Sequence, residues 1–221
     1  MNLRLPLLLS FALVAVMAAI SAYGWTVLPA DAQLATHWGF DGKVNGHMSR
    51  DMGLALLPAI ALAIIILIAV IPRVEPRREH LIASRKPFLV FWIGALAVLA
   101  ISHAMIVLTA LGYAIDIPGT LLVVVALAIA AGGNYLGKVR SNWFLGIRTP
   151  WTLSSELSWE KSHRLLGRLF VISAIVTLAV RFAIGVEPAY LTFAASVTAS
   201  ALLAIVSSYV YWKQDPERRV A

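Results

Sequence analysis

Six long apolar runs dominate this sequence and restrict the kinds of fold it can adopt. They cover approximately residues 5–27, 53–71, 88–113, 117–136, 165–186 and 189–211. Each run reaches the roughly 17–25 residues that an α-helix needs to cross a bilayer. Because backbone polar groups find no water inside lipid, such runs must satisfy their hydrogen bonds internally, as helices do. The sequence therefore predicts an all-α integral membrane protein, a bundle of about six transmembrane helices.

The composition supports burial in lipid and excludes several kinds of chemistry. Hydrophobic residues make up 60% of the chain and charged residues only 13%, whereas soluble domains carry about 25% charged residues. The chain has no cysteine, which excludes disulfides, thiolate metal sites and cysteine nucleophiles. The net charge of +7 is spread between the apolar runs rather than along one face, so we predict no direct nucleic acid binding.

The distribution of basic residues predicts the orientation in the membrane. The chain has 18 lysines and arginines, and all but Lys43, Arg50 and Arg181 lie on one predicted side of the membrane. They lie before the first run, in or at the border of the second and fourth connecting loops, or in the tail that contains Arg219. Short loops rich in Lys and Arg stay on the cytoplasmic side. We therefore predict that both termini and the second and fourth loops are cytoplasmic.

These patterns divide the chain into three regions. Residues 1–72 form an N-terminal helical hairpin module whose extracellular loop covers residues 28–52. Residues 73–87 form a basic cytoplasmic loop. Residues 88–221 form a four-helix membrane domain that contains a cytoplasmic loop at residues 137–164, which we call the signature loop.

The signature loop combines aromatic and basic residues more densely than any other segment. Trp143, Trp151 and Trp159 alternate with arginines and lysines. One interpretation is an interfacial segment that anchors the neighbouring spans in the headgroup layer. The other is a surface that binds a partner. Thr149-Pro150 predicts an extended or turned backbone, followed by a helix that begins near Leu153 and is capped by a nearby Ser or Thr.

The motif in and around this loop resembles a known family. Gly133-Asn134-Tyr135, Asn142, the run GIRTPWTL at residues 146–153, Trp159, Ser162-His163-Arg164 and Gly167 resemble the Sdp immunity protein family (SdpI-like). The first loop resembles the small N-terminal module common in that family through Leu28-Pro29, His37-Trp38-Gly39, Asp41-Gly42, Asn45-Gly46 and Ser49-Arg50. One departure is Arg50, where lysine would be more usual.

The resemblance implies a multi-pass protein of the bacterial inner membrane that protects the cell from a secreted toxic peptide. It also implies signal transduction, in which the cytoplasmic face captures a DNA-binding repressor once toxin is present. It implies neither an enzyme nor a cofactor. We assign partner binding to nine residues, namely Asn134, Asn142, Arg148, Thr149, Pro150, Trp151, Thr152, Trp159 and His163.

The extracellular loop offers candidates for sensing a ligand from outside, namely His37, Trp38, Asp41 and Asn45. A calcium loop is disfavoured because Lys43 stands where an oxygen ligand is needed and no glutamate follows at the twelfth position. Asp-Gly and Asn-Gly are ordinary turn dipeptides. We therefore predict no metal site and a structured turn or hairpin cap. The alternative is a surface that contacts a ligand.

An alternative function is transport of a small solute or peptide, as a transporter or channel. His103 lies in the middle of the third run, and intramembrane ionisable residues often serve function, although a neutral histidine can also hydrogen-bond a neighbouring helix. We expect Arg181 to reach the outer interface near Glu187. Ala195, Ser196, Ala199 and Ser200 predict close helix contact in the last run.

Overall fold

The computed structural model describes residues 3–39 and 41–218, and it confirms the six-helix membrane architecture. Within these residues, six helices are long and apolar enough to cross a membrane. They are α1 (Arg4–Val27), α2 (Arg50–Val74), α4 (Arg85–Ala110), α5 (Ile117–Leu136), α7 (Glu156–Ala183) and α8 (Val186–Gln214). Two short helices, α3 (Arg78–Ala83) and α6 (Pro150–Leu153), lie in the second and fourth loops. The predicted tail residue Arg219 lies outside the described residues.

The helix boundaries follow local sequence signals. Asp116 accepts a hydrogen bond from the Gly119 amide at 2.9 Å and caps α5, which has the bounds predicted for the fourth run. Helix α7 differs, because it begins at Glu156 rather than at residue 165. Ser155 caps this helix by accepting from the Ser158 amide. The first turns of α7 are polar and pack against the earlier part of the signature loop. The hydrophobic pattern therefore does not include them.

The first connecting loop, residues 28–49, forms a two-stranded antiparallel hairpin, made of β1 (Gln33–Trp38) and β2 (Val44–Ser49). The predicted hairpin cap is therefore present. Leu34 of β1 is fully buried, and it packs in a cluster with Leu54 of α2 and Ile117 of α5. The hairpin thus closes one end of the bundle instead of extending freely from it.

The loops lie at two opposite ends of the helix bundle. The hairpin shares one end with the third and fifth loops, where Tyr190 donates to the Pro118 carbonyl at 2.9 Å. The second loop, the signature loop and residues 215–218 share the other end. The positive-inside prediction assigns this second end to the cytoplasm.

Helix packing divides the bundle into two groups that meet at α4 and α5. α1, α2 and α4 pack together around Met17, Ile65 and Trp92. α5, α7 and α8 form the other group. Gly133 of α5 and Gly167 of α7 face each other so closely that a Cβ on Gly167 would lie 2.4 Å from the Gly133 carbonyl oxygen. Small residues allow such close approach of helices in lipid.

The two ionisable residues predicted within spans both have partners on other helices. His103 is fully buried, and its Nε2 lies 3.0 Å from the Ser21 hydroxyl of α1. Arg181 forms an ion pair at 2.7 Å with Asp116, the residue that precedes α5. The small-residue contact in α8 runs through Ser200, Ala204 and Ser208, which are buried. Ala195 and Ala199 are exposed, so that part of the predicted contact was wrong.

Candidate functional site

The signature loop is attached to the second loop by a buried carboxylate. Glu75 is only 4% exposed. Its Oε2 accepts a hydrogen bond from the Trp143 amide at 3.0 Å, and its Oε1 accepts from the Arg77 amide at 2.8 Å. Arg77 in turn donates to the Leu153 carbonyl at 2.7 Å and to the Ser141 hydroxyl. This carboxylate and guanidinium hold both halves of the signature loop against the end of α2.

Two further residues of the same segment extend this attachment. His80 Nδ1 hydrogen-bonds the Ser141 carbonyl at 2.8 Å. The buried Ser84 hydroxyl accepts from the Arg140 amide at 2.8 Å. The basic loop predicted at residues 73–87 therefore acts as a clamp on the signature loop, and we refer to Glu75, Arg77, His80 and Ser84 as the clamp residues. The sequence analysis did not identify the clamp residues, because residues 73–87 carry no recognisable motif. Only the signature loop, to which they bind, does.

Asn142 folds the first turn of the loop. It is fully buried. Its Oδ1 accepts from the amides of Phe144 at 2.9 Å and Leu145 at 2.7 Å, and its Nδ2 donates to the Arg140 carbonyl at 2.8 Å. An asparagine side chain that replaces a missing backbone turn in this way stabilises a fixed loop conformation.

His163 and Trp159 form the interior of the loop, and both are fully buried. The His163 Nδ1 donates to the Trp159 carbonyl at 2.8 Å, and the Nε2 accepts from the Ile147 amide at 2.8 Å. The neutral imidazole stacks on the Trp159 indole with ring centroids 4.0 Å apart, and the indole N–H donates to the Val139 carbonyl at 2.7 Å. Gly146 has a φ of 109°, and an added Cβ there would lie 2.1 Å from the His163 Nε2.

Thr149, Pro150 and Thr152 form the corner that follows. Thr149 caps α6, and the Thr149 and Thr152 side chains each bond the other's backbone amide in a capping box. Thr152 Oγ1 also donates to the Ile147 carbonyl at 2.8 Å. Pro150 occupies the first position of the helix, where its lack of an amide hydrogen costs nothing.

Trp151 connects the corner to the last helix. Its indole donates to the Ser208 hydroxyl, and its ring meets Tyr209 edge-on at 5.5 Å. Ser158 donates to the Ser208 carbonyl at 2.6 Å. Ser155 donates to the buried Asp215 carboxylate, and this hydrogen bond lowers the pKa of Asp215 below its ordinary value. These contacts join the signature loop, α8 and the tail into one unit.

Two exposed aromatic residues and an arginine lie together on the surface of the signature loop. Trp143 and Phe144 are 48% and 39% exposed, and Arg148 beside them is also exposed and donates to the Trp143 carbonyl at 2.8 Å. We call Trp143, Phe144 and Arg148 the loop face. Asn134 is exposed but lies away from them, in a groove between α5 and α7. Of the nine residues predicted to bind a partner, Arg148 belongs to the loop face and Trp151 is half-buried. Asn142, Thr152, Trp159 and His163 are buried and stabilise the loop from its interior.

The four candidates predicted in the first connecting loop lie together in the hairpin. His37 and Asn45 hydrogen-bond across the strands, while Asp41 accepts from the Lys43 amide at 3.0 Å in the turn. Trp38 lines a cavity of about 320 Å³ between the hairpin and the bundle, together with Ile106, Leu121 and Tyr190. In the described part of the chain, no group of three or more His, Asp or Glu residues could hold a metal ion.

Comparison with known proteins gives three findings. Residues 138–211 match the model of the SdpI/YfhL protein family, and residues 12–62 match the Domain of unknown function (DUF1648). The Immunity protein SdpI of Bacillus subtilis (strain 168) is 27% identical over 133 residues, which is 60% of this chain and 60% of that relative. No solved structure matches.

Proposed function

Since the resemblance to the Sdp immunity protein family is confirmed over residues 138–211, we propose that this chain is an inner-membrane immunity protein that protects the cell from a secreted toxic peptide. The observation that carries the proposal is the likeness to an immunity protein over 133 residues, together with a family match that includes most of the signature loop. The chain spans 60% of that relative's length, so the toxic peptide and the repressor are proposed from the resemblance, and the surfaces of this chain are assigned to them below.

The loop face is the surface that we assign to a cytoplasmic partner. The clamp residues, Asn142 and His163 hold the loop by many buried hydrogen bonds, so a partner would meet a preformed surface and lose little entropy in ordering it. Exposed aromatic residues beside an arginine are typical of protein interfaces. We propose that this partner is a DNA-binding repressor, which the protein would capture at the membrane.

The hairpin end is the surface that we assign to the toxic peptide. The cavity beneath the hairpin is lined mainly by apolar residues, and its polar side chains are those of Thr36, His37, Ser102 and Tyr190. Apolar pockets with a few placed polar groups are typical ligand sites. An apolar side chain of a peptide that enters the outer leaflet would fit this volume of about 320 Å³.

The alternative, a transporter or channel, is favoured by the buried His103 and Ser21 pair inside the membrane. The two functions differ in which residues they require. Immunity through a captured partner requires the loop face, whereas transport requires a route through the bundle interior. Substitution of His103 by leucine would abolish transport while leaving the loop face intact.

The first experiment complements a deletion strain and measures survival against membrane-active peptides and supernatants of related bacteria. The parent should restore survival. Arg148→Ala and Trp143→Ala should not, although both proteins should insert at normal levels. Arg85→Ala is the matched control, because Arg85 is exposed at the same end of the bundle but lies outside the loop face.

The outcomes separate three interpretations. If the loop-face variants protect as well as the parent, the loop is only an anchor and partner capture is wrong. If the His103→Leu variant alone fails, and it also loses solute or peptide flux in vesicles, the transporter is correct. If no strain differs from the deletion strain, immunity to those toxins is excluded.

Orientation requires its own test, and the absence of cysteine makes it direct. A single cysteine in place of the exposed Lys43 should react with a membrane-impermeant maleimide in intact cells. A single cysteine in place of Arg85 should react only after the membrane is permeabilised. The reverse pattern would place the signature loop outside the cell and exclude the capture of a repressor.

A further inference from the structure

A groove of about 610 Å³ lies between α5 and α7 at the signature-loop end of the bundle. Its walls carry Lys138, Arg164 and Arg168, all of which are exposed. Lys138 follows the last residues of α5, and Arg168 lies just inside the apolar run of α7. The three cations therefore lie at the level where the hydrocarbon ends and the headgroup layer begins.

The positive charge of the groove is only partly neutralised. Arg164 lies 3.4 Å from Glu160, but Glu160 also pairs with Arg140 at the shorter distance of 2.8 Å. The Lys138 ammonium rests over the Tyr135 ring at 4.7 Å. Among the described residues, Arg168 forms none of the ion pairs, and no carboxylate lines the groove.

The groove is amphipathic along its length. Below the cations its wall continues with Val171 and Ile172 of α7, and Ile172 is 55% exposed. Gly137 leaves room beside Arg164, because a Cβ there would lie 3.3 Å from the Arg164 Cγ. A ligand would therefore meet positive charge at one end of the groove and hydrocarbon at the other.

We propose that this groove is a binding site for an anionic phospholipid. Lys138, Arg164 and Arg168 would bind the phosphate, and the exposed Asn134 could contribute a neutral hydrogen bond. An acyl chain would lie along Val171 and Ile172. Basic pockets between membrane helices bind anionic headgroups in this manner. The proposal does not depend on immunity, since it concerns the membrane itself and not a toxin or a repressor.

The test uses the full-length protein in a mild detergent and native mass spectrometry to measure lipid binding. Phosphatidylglycerol is the probe, phosphatidylcholine is the zwitterionic comparison, and inorganic phosphate is added as a competitor. Each basic residue near a membrane surface contributes about fivefold to anionic lipid affinity. The double variant Lys138→Gln, Arg168→Gln should therefore lose about 25-fold in phosphatidylglycerol affinity, while phosphatidylcholine binding stays unchanged.

The matched control is the double variant Arg85→Gln, Lys86→Gln, which removes two exposed cations at the same end but outside the groove. It should bind phosphatidylglycerol as the parent does. Ile172→Trp should also weaken binding severalfold with all charges intact, because it fills the apolar wall of the groove.

Three results would overturn the proposal. Equal affinity of the groove variant and the parent would show that the cations do not bind lipid. Equal losses in the groove variant and the control would indicate general charge attraction. Full competition by millimolar inorganic phosphate, with no effect of Ile172→Trp, would make the groove a site for free anions.

Discussion

Replacing His163 by leucine should loosen the signature loop by an amount that its geometry allows us to estimate. The imidazole Nε2 is the acceptor for the Ile147 amide at 2.8 Å, and the side chain is fully buried. Leucine fills similar space but leaves that amide without a partner, which costs about 1–3 kcal/mol. Loss of the ring stacking on Trp159 adds about 0.5–1.5 kcal/mol.

The sum is about 1.5–4.5 kcal/mol in the free energy of opening the loop, and each 1.4 kcal/mol is a factor of ten. Hydrogen exchange of the Ile147 amide, measured by mass spectrometry in nanodiscs, should therefore accelerate by about 10- to 1500-fold. Amides in the middle of α5 should exchange as in the parent. His163→Gln keeps an acceptor near the same position and should show a smaller increase.

The reasoning is refuted if His163→Leu leaves exchange at Ile147 unchanged. It is also refuted if exchange rises equally in α5, since that would indicate a loss of the whole fold and not of the loop. Survival in the complementation assay should fall together with loop protection, because the loop face depends on the interior that supports it.

Two further perturbations test the packing of the bundle. Gly167→Ala should destabilise the protein by about 1–3 kcal/mol, since the new Cβ would lie 2.4 Å from the Gly133 carbonyl oxygen; thermal unfolding in detergent should show a lower midpoint. Gly94→Ala is the control, because its added Cβ meets nothing within 4 Å, and it should leave the unfolding midpoint unchanged or raise it. The same shift in both variants would contradict the close contact of α5 and α7. Asp116→Ala should lower the unfolding midpoint more than Arg181→Gln. Both variants remove the Asp116–Arg181 ion pair, which contributes at most about 1 kcal/mol. Asp116→Ala also removes the α5 cap, at a further cost of about 1 kcal/mol. Equal shifts would show that the cap adds nothing.

The six spans could be predicted from the sequence because hydrophobic length is a local property. The fourth run even has the bounds of α5, since Asp116 caps the helix at its start. The capping residues predicted a helix near Leu153, close to the start of α7 at Glu156. The apolar run began only at residue 165, because Ser158, Ser162 and His163 are polar yet fully buried. Their burial depends on contacts with the signature loop and α8, which no local pattern reports.

The candidate site also combines features that a local sequence pattern predicts with features that only the fold determines. The motif GIRTPWTL identified the segment, and Thr149-Pro150 was correctly placed at a corner. The sequence could not show that Asn142 and His163 face inward, because their partners are backbone groups brought close only by the fold. Exposed Trp143 and Phe144 were part of the aromatic pattern, yet nothing local distinguished them from the buried Trp159.

The clamp residues have a consequence for recombination between relatives. Residues 12–62 and 138–211 match two separate family models, and the segment between them includes Glu75, Arg77 and Ser84. Moving the signature loop of this chain into a relative without residues 73–87 would separate the Trp143 and Arg140 amides from their acceptors, Glu75 and Ser84. The two loops therefore form one structural unit at this end of the protein, and an exchange that keeps the fold has to transfer them together.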